Sequence, residues 1–400
     1  MKSKWMIVFL LEIILTIVSS RLVVNATVRT IQSEDGDVID CIDMYKQPAF
    51  DHPALKDHKI QLKPSYDVKM EITSDGEKQD SATTTTTQKW HKSGTCPKGT
   101  IPIRRNTMPK NLASKRQHPT RNHGRKPPMH SQSHYDKKSN ENETVYLQLK
   151  NHSLAFLHTE GFAYLGAKGD IQVWNPLVES DDEYSTSHVA LKSGPYYNFE
   201  AIESGWAVNP GVYGDRQTRL FVYWTGDASK ETGCFDLTCP GFVQTSNELA
   251  LGAAIYPISN LSGLPYQITI FIHRDPNTSN WWVQYGERMN IGYWPSDLFG
   301  WLRSHAETVQ WGGEVYSTRV GTHPHTATDM GSGQFPDWVS GMSGSVKRIR
   351  VLENNMILRF PQWVFSFTDE YDCYSTYYIS DYVPDPQFFY GGPGQNPRCP

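Results

Sequence analysis

The sequence predicts an all-β protein, an antiparallel β-sandwich over residues 146–400 preceded by a small N-terminal domain and a disordered linker. Three observations point there. After residue 145, short segments rich in β-branched and aromatic residues recur with turn residues between them. Thr107 to Ser139 is rich in Pro, His, Lys, Arg and Asn with almost no apolar periodicity. Such a stretch buries too little surface to offset its chain entropy. Finally, 400 residues with 38% apolar and 12% aromatic content exceed one average domain and supply a sizeable core.

The chain opens with Lys2 and Lys4, an apolar run from Met6 to Val18, then small residues. This reads as a secretory signal over residues 1–26, with cleavage after Ser20 or at Val24-Asn25-Ala26. The run is interrupted by Glu12 and is too short to cross a bilayer comfortably, so no membrane span is expected. Secretion makes Cys41, Cys96, Cys234, Cys239, Cys373 and Cys399 expected disulfide partners. Sequence proximity suggests Cys234–Cys239 and Cys373–Cys399, leaving Cys41–Cys96. A zinc site is disfavoured because no histidine lies near Cys234 or Cys239 at ligand spacing. Sequons at Asn25, Asn142, Asn151, Asn260 and Asn277 agree with secretion, Asn25 being lost if the signal ends at Ala26.

Charge divides the chain. Residues 1–149 carry 23 Lys/Arg against 16 Asp/Glu, and residues 150–400 carry 15 against 26, giving +7 and −11. A basic arm before an acidic domain suits either a nucleic-acid contact or a pro-segment lying on its own domain. The first lacks stacking aromatics, since Arg104 to Lys138 holds ten basic residues and only Tyr135. A pro-segment over 27–106 and a protease-exposed basic linker over 107–145 are expected, and nucleic acid is not expected as a partner.

Expected strands are Thr144–Leu149, Asp170–Trp174, Arg219–Trp224, Gln267–Ile272, Trp281–Tyr285, Arg348–Leu352, Met356–Phe360 and Gln362–Phe367. Asn209-Pro210, Gly226-Asp227 and Asp275-Pro276 mark turns. Leu298, Trp301, Leu302 and His305 at helical spacing predict one helix, Pro295 to Thr308.

Two glycine- and tryptophan-flanked segments carry one glutamate each: Glu203 in Ala201-Ile-Glu-Ser-Gly-Trp206 and Glu314 in Trp311-Gly-Gly-Glu-Val315. A carboxyl beside apolar aromatics holds its proton, while a better solvated partner stays ionised. That division suits hydrolysis by an acid and a base. Such a pair needs no cofactor, and no strong metal-binding spacing accompanies it. His323-Pro-His325 reads as a surface turn, and the acidic run Glu179, Asp181, Asp182, Glu183 as a solvated loop without EF-hand spacing. Met330-Gly-Ser-Gly333 lacks the spacing of a nucleophile elbow. Of the tryptophans at 206, 224, 281, 282, 294, 311 and 338, Trp206 and Trp311 are expected to line the substrate groove.

The surrounding text resembles the plant neprosin family of glutamic peptidases. The resemblance is carried by Gly166-Ala-Lys-Gly-Asp-Ile-Gln-Val-Trp-Asn-Pro176, Glu203-Ser-Gly-Trp-Ala-Val-Asn-Pro210, Tyr213-Gly-Asp215, Gly233-Cys-Phe-Asp-Leu-Thr-Cys-Pro-Gly-Phe-Val-Gln244, Ile291-Gly-Tyr-Trp-Pro295, Trp311-Gly-Gly-Glu314 and Met330-Gly-Ser-Gly333. Upstream, Asp40 to His52 and Gly94 to Arg105 resemble the family's activation peptide. The resemblance implies a β-sandwich with Glu203 and Glu314 as the catalytic pair, cleavage after proline, and a pro-segment that acts as inhibitor. His188 in Ser187-His-Val-Ala190 stands where many relatives carry glutamine, and is expected to contribute a titrating group to the cleft. The expected function is a secreted, acid-active glutamic endopeptidase made as a zymogen. Its substrate would be protein or peptide in the apoplast, cell wall or vacuole. The rival expectation is a secreted carbohydrate-binding or glycosidase-like sandwich, since paired carboxylates in an aromatic cleft also describe a glycosidase.

Overall fold

A computed structural model describes residues 27–70, 84–85, 87–105, 150–337, 341–381 and 383–400. The expected signal segment, the linker 107–145, strand Thr144–Leu149, Asn25, Asn142 and Trp338 lie outside these residues.

Upstream, β1 (Thr27–Gln32), β2 (Val38–Asp43) and β3 (Thr100–Arg104) form an antiparallel sheet in that order. The Cys41–Cys96 disulfide ties β2 to the segment leading into β3, with Cα atoms 5.4 Å apart. Between β2 and β3 the prolines Pro48 and Pro53, which set φ for a tight turn, open short 3-10 turns at Pro48–Asp51 and Pro53–Leu55.

From residue 152 the chain builds a sandwich. Its long strands are β4 (His152–Tyr164), β5 (Gly166–Gln172), β6 (Tyr184–Ser193), β7 (Glu200–Val208), β8 (Arg219–Thr225), β9 (Tyr266–Arg274), β10 (Trp281–Tyr285), β11 (Met289–Trp294), β12 (Ala306–Tyr316) and β13 (Gly344–Leu352), followed by the shorter β14 (Phe365–Thr368), β15 (Ser375–Ile379) and β16 (Gln387–Gly391). One sheet runs from the short strand Cys234–Phe235 through β8-β7-β6-β12-β4-β14. The other runs from Val243–Gln244 through β11-β10-β9-β5-β13 to Ile357–Arg359, with β16 and β15 branching from β13. Two upstream segments join this second sheet in parallel pairing, Lys69–Met70 on Ile357–Arg359 and Thr84–Thr85 on β9.

The core lies between the sheets. Val189, Leu191, Ile202, Trp206, Leu220, Val222, Val309 and Trp311 of the first sheet meet Ile171, Ile268, Ile270, Ile272, Trp281, Val283, Val346 and Val351 of the second. Strand alternation assigns these residues to one face and leaves the intervening ones on the other. The remaining disulfides, Cys234–Cys239 and Cys373–Cys399, close local loops with Cα separations of 5.8 and 5.3 Å.

The helix expected over Pro295–Thr308 is absent. Only Ser296–Leu298 makes a 3-10 turn, Phe299 is extended, and β12 begins at Ala306. The reason is tertiary. The buried Glu200 carboxylate accepts the backbone N–H of Gly300 (2.6 Å) and of Leu302 (2.7 Å), donors that a helix would turn inward. The acidic run is likewise not a solvated loop throughout. Glu183 is buried and accepts hydroxyls from Ser317 (2.6 Å), Thr326 (2.7 Å) and Thr328, anchoring the loop after β12 to the start of β6.

Candidate active site

Register places both candidate glutamates on one face. Glu203 of β7 stands opposite Ala190 of β6, and Glu314 of β12 stands opposite Thr186 of the same strand. Directly paired residues in a ladder project to the same side. Residues 186, 188 and 190 alternate onto a single face, so Glu203, His188 and Glu314 lie together on the side away from the core. The two glutamates are set diagonally, with His188 on the strand between them.

His188 is flanked in register by Gly205 on β7 and Gly312 on β12. A side chain fits at neither position. A Cβ on Gly205 would fall 1.9 Å from the Ser187 carbonyl oxygen, and one on Gly312 would fall 2.3 Å from that of Ala155. Gly312 also has φ +153°, which L-residues rarely adopt. The Gly-Trp and Trp-Gly-Gly motifs therefore place a side-chain-free strip on either side of His188.

Glu203 and Glu314 are both buried, at 1% and 3% exposure, yet their surroundings differ. Glu203 Oε2 has no hydrogen-bond partner. Burial pushes the Glu203 carboxyl up to about 7; Lys192 opposes the shift and the charge of Glu314 adds to it. Glu314 Oε1 accepts the Tyr184 hydroxyl at 2.6 Å and lies 2.7 Å from His152 Nδ1. Tyr184 keeps its proton, because burial and the neighbouring Glu314 hold its pKa well above the phenol range. The hydroxyl bond received from Tyr184 suits the ionised form of this oxygen. His188 Nδ1 lies 3.2 Å from Thr186 Oγ1, and burial lowers its pKa to about 4 against the pull of Glu314, so the imidazole is neutral above that pH. The arrangement sets a carboxyl whose pKa burial pushes up to about 7 beside one whose oxygen accepts a tyrosine hydroxyl.

Trp206 and Trp311 do not line this face, which corrects the expectation. Each alternates to the opposite side of its strand and is fully buried. Trp206 donates Nε1–H to the Gln172 carbonyl at 2.9 Å and Trp311 to that of Lys168 at 3.0 Å, both on β5 across the sandwich. Gly169 makes room for the second indole, since a Cβ there would sit 3.0 Å from Trp311 Cδ1. The physical reason is the period of two: a tryptophan an odd number of residues from the candidate carboxyl faces the core. Trp206→Ala and Trp311→Ala are each expected to cost about 3–5 kcal/mol of stability, read by denaturant unfolding.

His152 and Tyr184, which hold Glu314, carry no motif that marks them in the sequence. Asn260 and Asn277 are exposed and Asn151 half-buried. His325, Cys373 and Cys399 cluster closely, but both sulfurs belong to one disulfide and are not available as thiolates.

Besides its strand pairings with Ile357–Arg359 and β9, the upstream segment makes buried polar contacts with the sandwich. Asp37 accepts Arg104 Nε at 2.7 Å and Arg219 Nη1 at 2.9 Å, and the Ala254 N–H at 3.1 Å; all three side chains are buried. Gln47 exchanges hydrogen bonds with the backbone of Gln244, and Gln88 with that of Ala250. His58 Nε2 lies 2.7 Å from the Tyr293 hydroxyl, and His52 packs edge-on to Trp224. These contacts fall on Arg219, Trp224, Gln244, Ala250, Ala254 and Tyr293. The most buried ion pair reverses the expected polarity, with an acid of the upstream segment set on a base of the acidic domain.

Comparison with known proteins follows this division. The sequence profile described as Neprosin matches residues 181–393, and that described as Neprosin activation peptide matches residues 30–156. Among solved structures, the chain is similar to Scytalido-glutamic peptidase with a peptide-based transition state analog, at 10% identity and TM-score 0.32 over 61% of this chain and 98% of that one. It is also similar to SCP-B, a member of the Eqolisin family of peptidases, in a complex with the tripeptide Ala-Ile-His, at 9% identity and TM-score 0.31 over 61% and 98%. With one profile spanning both glutamates and the other the three-stranded sheet, the chain belongs to the neprosin family of peptidases and carries that family's activation peptide.

Proposed function

We propose that the protein is a secreted glutamic endopeptidase, made as a zymogen, that hydrolyses peptide bonds at acidic pH with Glu203 as acid and Glu314 as base, without a metal. One observation carries the assignment: on a single sheet face, Glu203 has a buried Oε2 without a hydrogen-bond partner while Glu314 is held by Tyr184 and His152. The ionised Glu314 takes a proton from water as its oxygen attacks the scissile carbonyl carbon. Glu203 gives its proton to the departing amine nitrogen as the C–N bond breaks. One proton is gained and one lost, and exchange with solvent restores the pair. Tyr184 and His152 fix the orientation of the base. The preference for cleavage after proline rests on the family resemblance, and secretion on the disulfides and sequons.

The pH dependence follows from the two shifts. As pH rises through about 7, Glu203 loses the proton it must donate, so the rate falls. Below about pH 4, His188 gains a charge between the carboxyls. Casein digestion by the acid-incubated full-length protein is expected to be confined to roughly that window and unchanged by a chelator. Activity that peaks above pH 8, or that a chelator abolishes, would refute the mechanism. Cleavage of cell-wall glycans in place of casein would favour a glycosidase.

A further inference from the structure

The face that carries the glutamates also carries a lysine. Alternation along β6 puts Lys192 on the side of Thr186, His188 and Ala190. Lys192 pairs with Ala201 on β7 and with Thr308 on β12, so it stands one diagonal step from Glu203, which pairs with Ala190. Diagonal neighbours of this kind lie about 7–8 Å apart, within reach of long side chains. Lys192 is partly exposed, and its ammonium lies 5.6 Å from the centre of the Phe199 ring, just before the strand of Glu203. Two acids of the neighbouring strands are engaged elsewhere: Glu160, opposite Thr308, with His158 at 3.1 Å, and Glu307 with the Gly194 N–H at 2.9 Å. Among the described residues, no carboxylate forms an ion pair with Lys192.

The titrating groups that face Glu203 are Tyr223 on β8, His188 and Lys192 on β6, Glu314 on β12 and, farther along its row, His158 on β4. Burial holds the Tyr223 phenol well above its ordinary value and lowers both histidines, so these three are uncharged near pH 7. After burial, which raises the Glu203 carboxyl, the charge of Lys192 acts on it most strongly, ahead of Glu314 and with opposite sign.

We propose that Lys192 is a positioning residue for the reaction: its ammonium, set diagonally beside Glu203 on the glutamate face, fixes the alkaline limit of peptide cleavage. The proposal rests on the reading of Glu203 as the acid. A cation favours the ionised carboxyl, so Lys192 lowers the pH at which Glu203 loses the proton it must donate. Without Lys192 that proton persists to higher pH. At about 7–8 Å, and at the effective dielectric of a part-buried site, one unit charge is worth about one pH unit.

The test measures initial rates of casein cleavage by acid-incubated full-length protein from pH 5.5 to pH 9, with casein well below saturation. Such rates follow kcat/KM and report the groups of the free enzyme. The midpoint of the alkaline fall does not depend on how much of a variant is folded. Wild type is expected to fall with a midpoint of about 7. Lys192→Met and Lys192→Gln should move that midpoint up by about one unit, and Lys192→Arg should restore it. A midpoint unmoved in both neutral variants would overturn the role of Lys192 and leave Glu203 as the acid. So would an equal shift in Lys192→Arg, which would trace the effect to the shape of the side chain. A wild-type profile without an alkaline fall near pH 7 would overturn the reading of Glu203 and this inference with it.

Discussion

Replacing Glu203 or Glu314 by Gln is expected to lower kcat by about 10³-fold or more, with the fold retained. Glutamine preserves the shape of each side chain and removes its proton chemistry. The two variants should nonetheless differ in stability. The Glu203 pKa is raised in the folded state, so the native protein prefers the protonated carboxyl. That preference contributes fully below the ordinary Glu value of 4.5 and is lost as pH rises through about 7. A shift of this size corresponds to roughly 3 kcal/mol of charge burial at pH 8. Glu203→Gln is therefore expected to be more stable than wild type at pH 8 and close to it at pH 4. Glu314→Gln instead disturbs the bonds from Tyr184 and His152 and gains nothing of the kind. Casein turnover and denaturant unfolding at the two pH values check both halves. Near-normal turnover by either variant would remove it from the mechanism.

The second large effect concerns the activation peptide. Asp37→Ala leaves the fully buried Arg219 and the buried Arg104 without their shared carboxylate, and is expected to weaken the docked state by about 3–5 kcal/mol. Thermal unfolding of the full-length chain and its susceptibility to a neutral protease report the loss, and wild-type behaviour would show that Asp215, whose Oδ2 lies 2.5 Å from Arg219 Nη2, satisfies Arg219 alone. This pin is not the acid-sensitive element. Burial raises the Asp37 pKa, but Arg219 and Arg104 outweigh it and hold it below the usual value of 3.8. The stability it supplies is present above that value and is lost only as pH falls below it. His52 and His58 behave differently. Burial lowers both from 6.5, with Asp297 partly opposing this for His58. Their contacts with Trp224 and Tyr293 are intact above 6.5 and are lost as acid charges them. Release of the activation peptide on acidification is thus expected to begin at these histidines, and His52→Gln with His58→Gln together should shift its midpoint.

How much was legible in the sequence depended on which face a strand presents. Arg219–Trp224, Gln267–Ile272 and Trp281–Tyr285 are bundles of β-branched and aromatic residues that build the core, and they announce themselves. The strands that build the site, β4, β6, β7 and β12, are absent from the expected series. One face of each carries Ser, Thr, His, Gly or Glu in place of the usual apolar residues, which dilutes the β signal where the chemistry sits. Glu203 and Glu314 were found from their glycine settings and the family resemblance. The glycines proved informative for a steric reason, the close approach of neighbouring strands beside His188. Trp206 and Trp311 misled because adjacency in sequence is opposition in a strand. His152 lies 162 positions from Glu314, and only the β4–β12 pairing brings it there. The missing helix after Pro295 was overruled by Glu200, about 100 residues upstream, which no local pattern encodes.

In the proposed mechanism Glu203 holds a proton where Glu314 does not. An infrared difference spectrum of wild type minus Glu203→Gln, recorded from pH 5 to pH 8, addresses it directly. The expected spectrum shows the carbonyl stretch of a protonated carboxylic acid at pH 5, replaced by a carboxylate band as pH passes about 7, and no such protonated band from wild type minus Glu314→Gln at pH 5. A Glu203 carboxylate already ionised at pH 5, or a protonated Glu314 there, would contradict it.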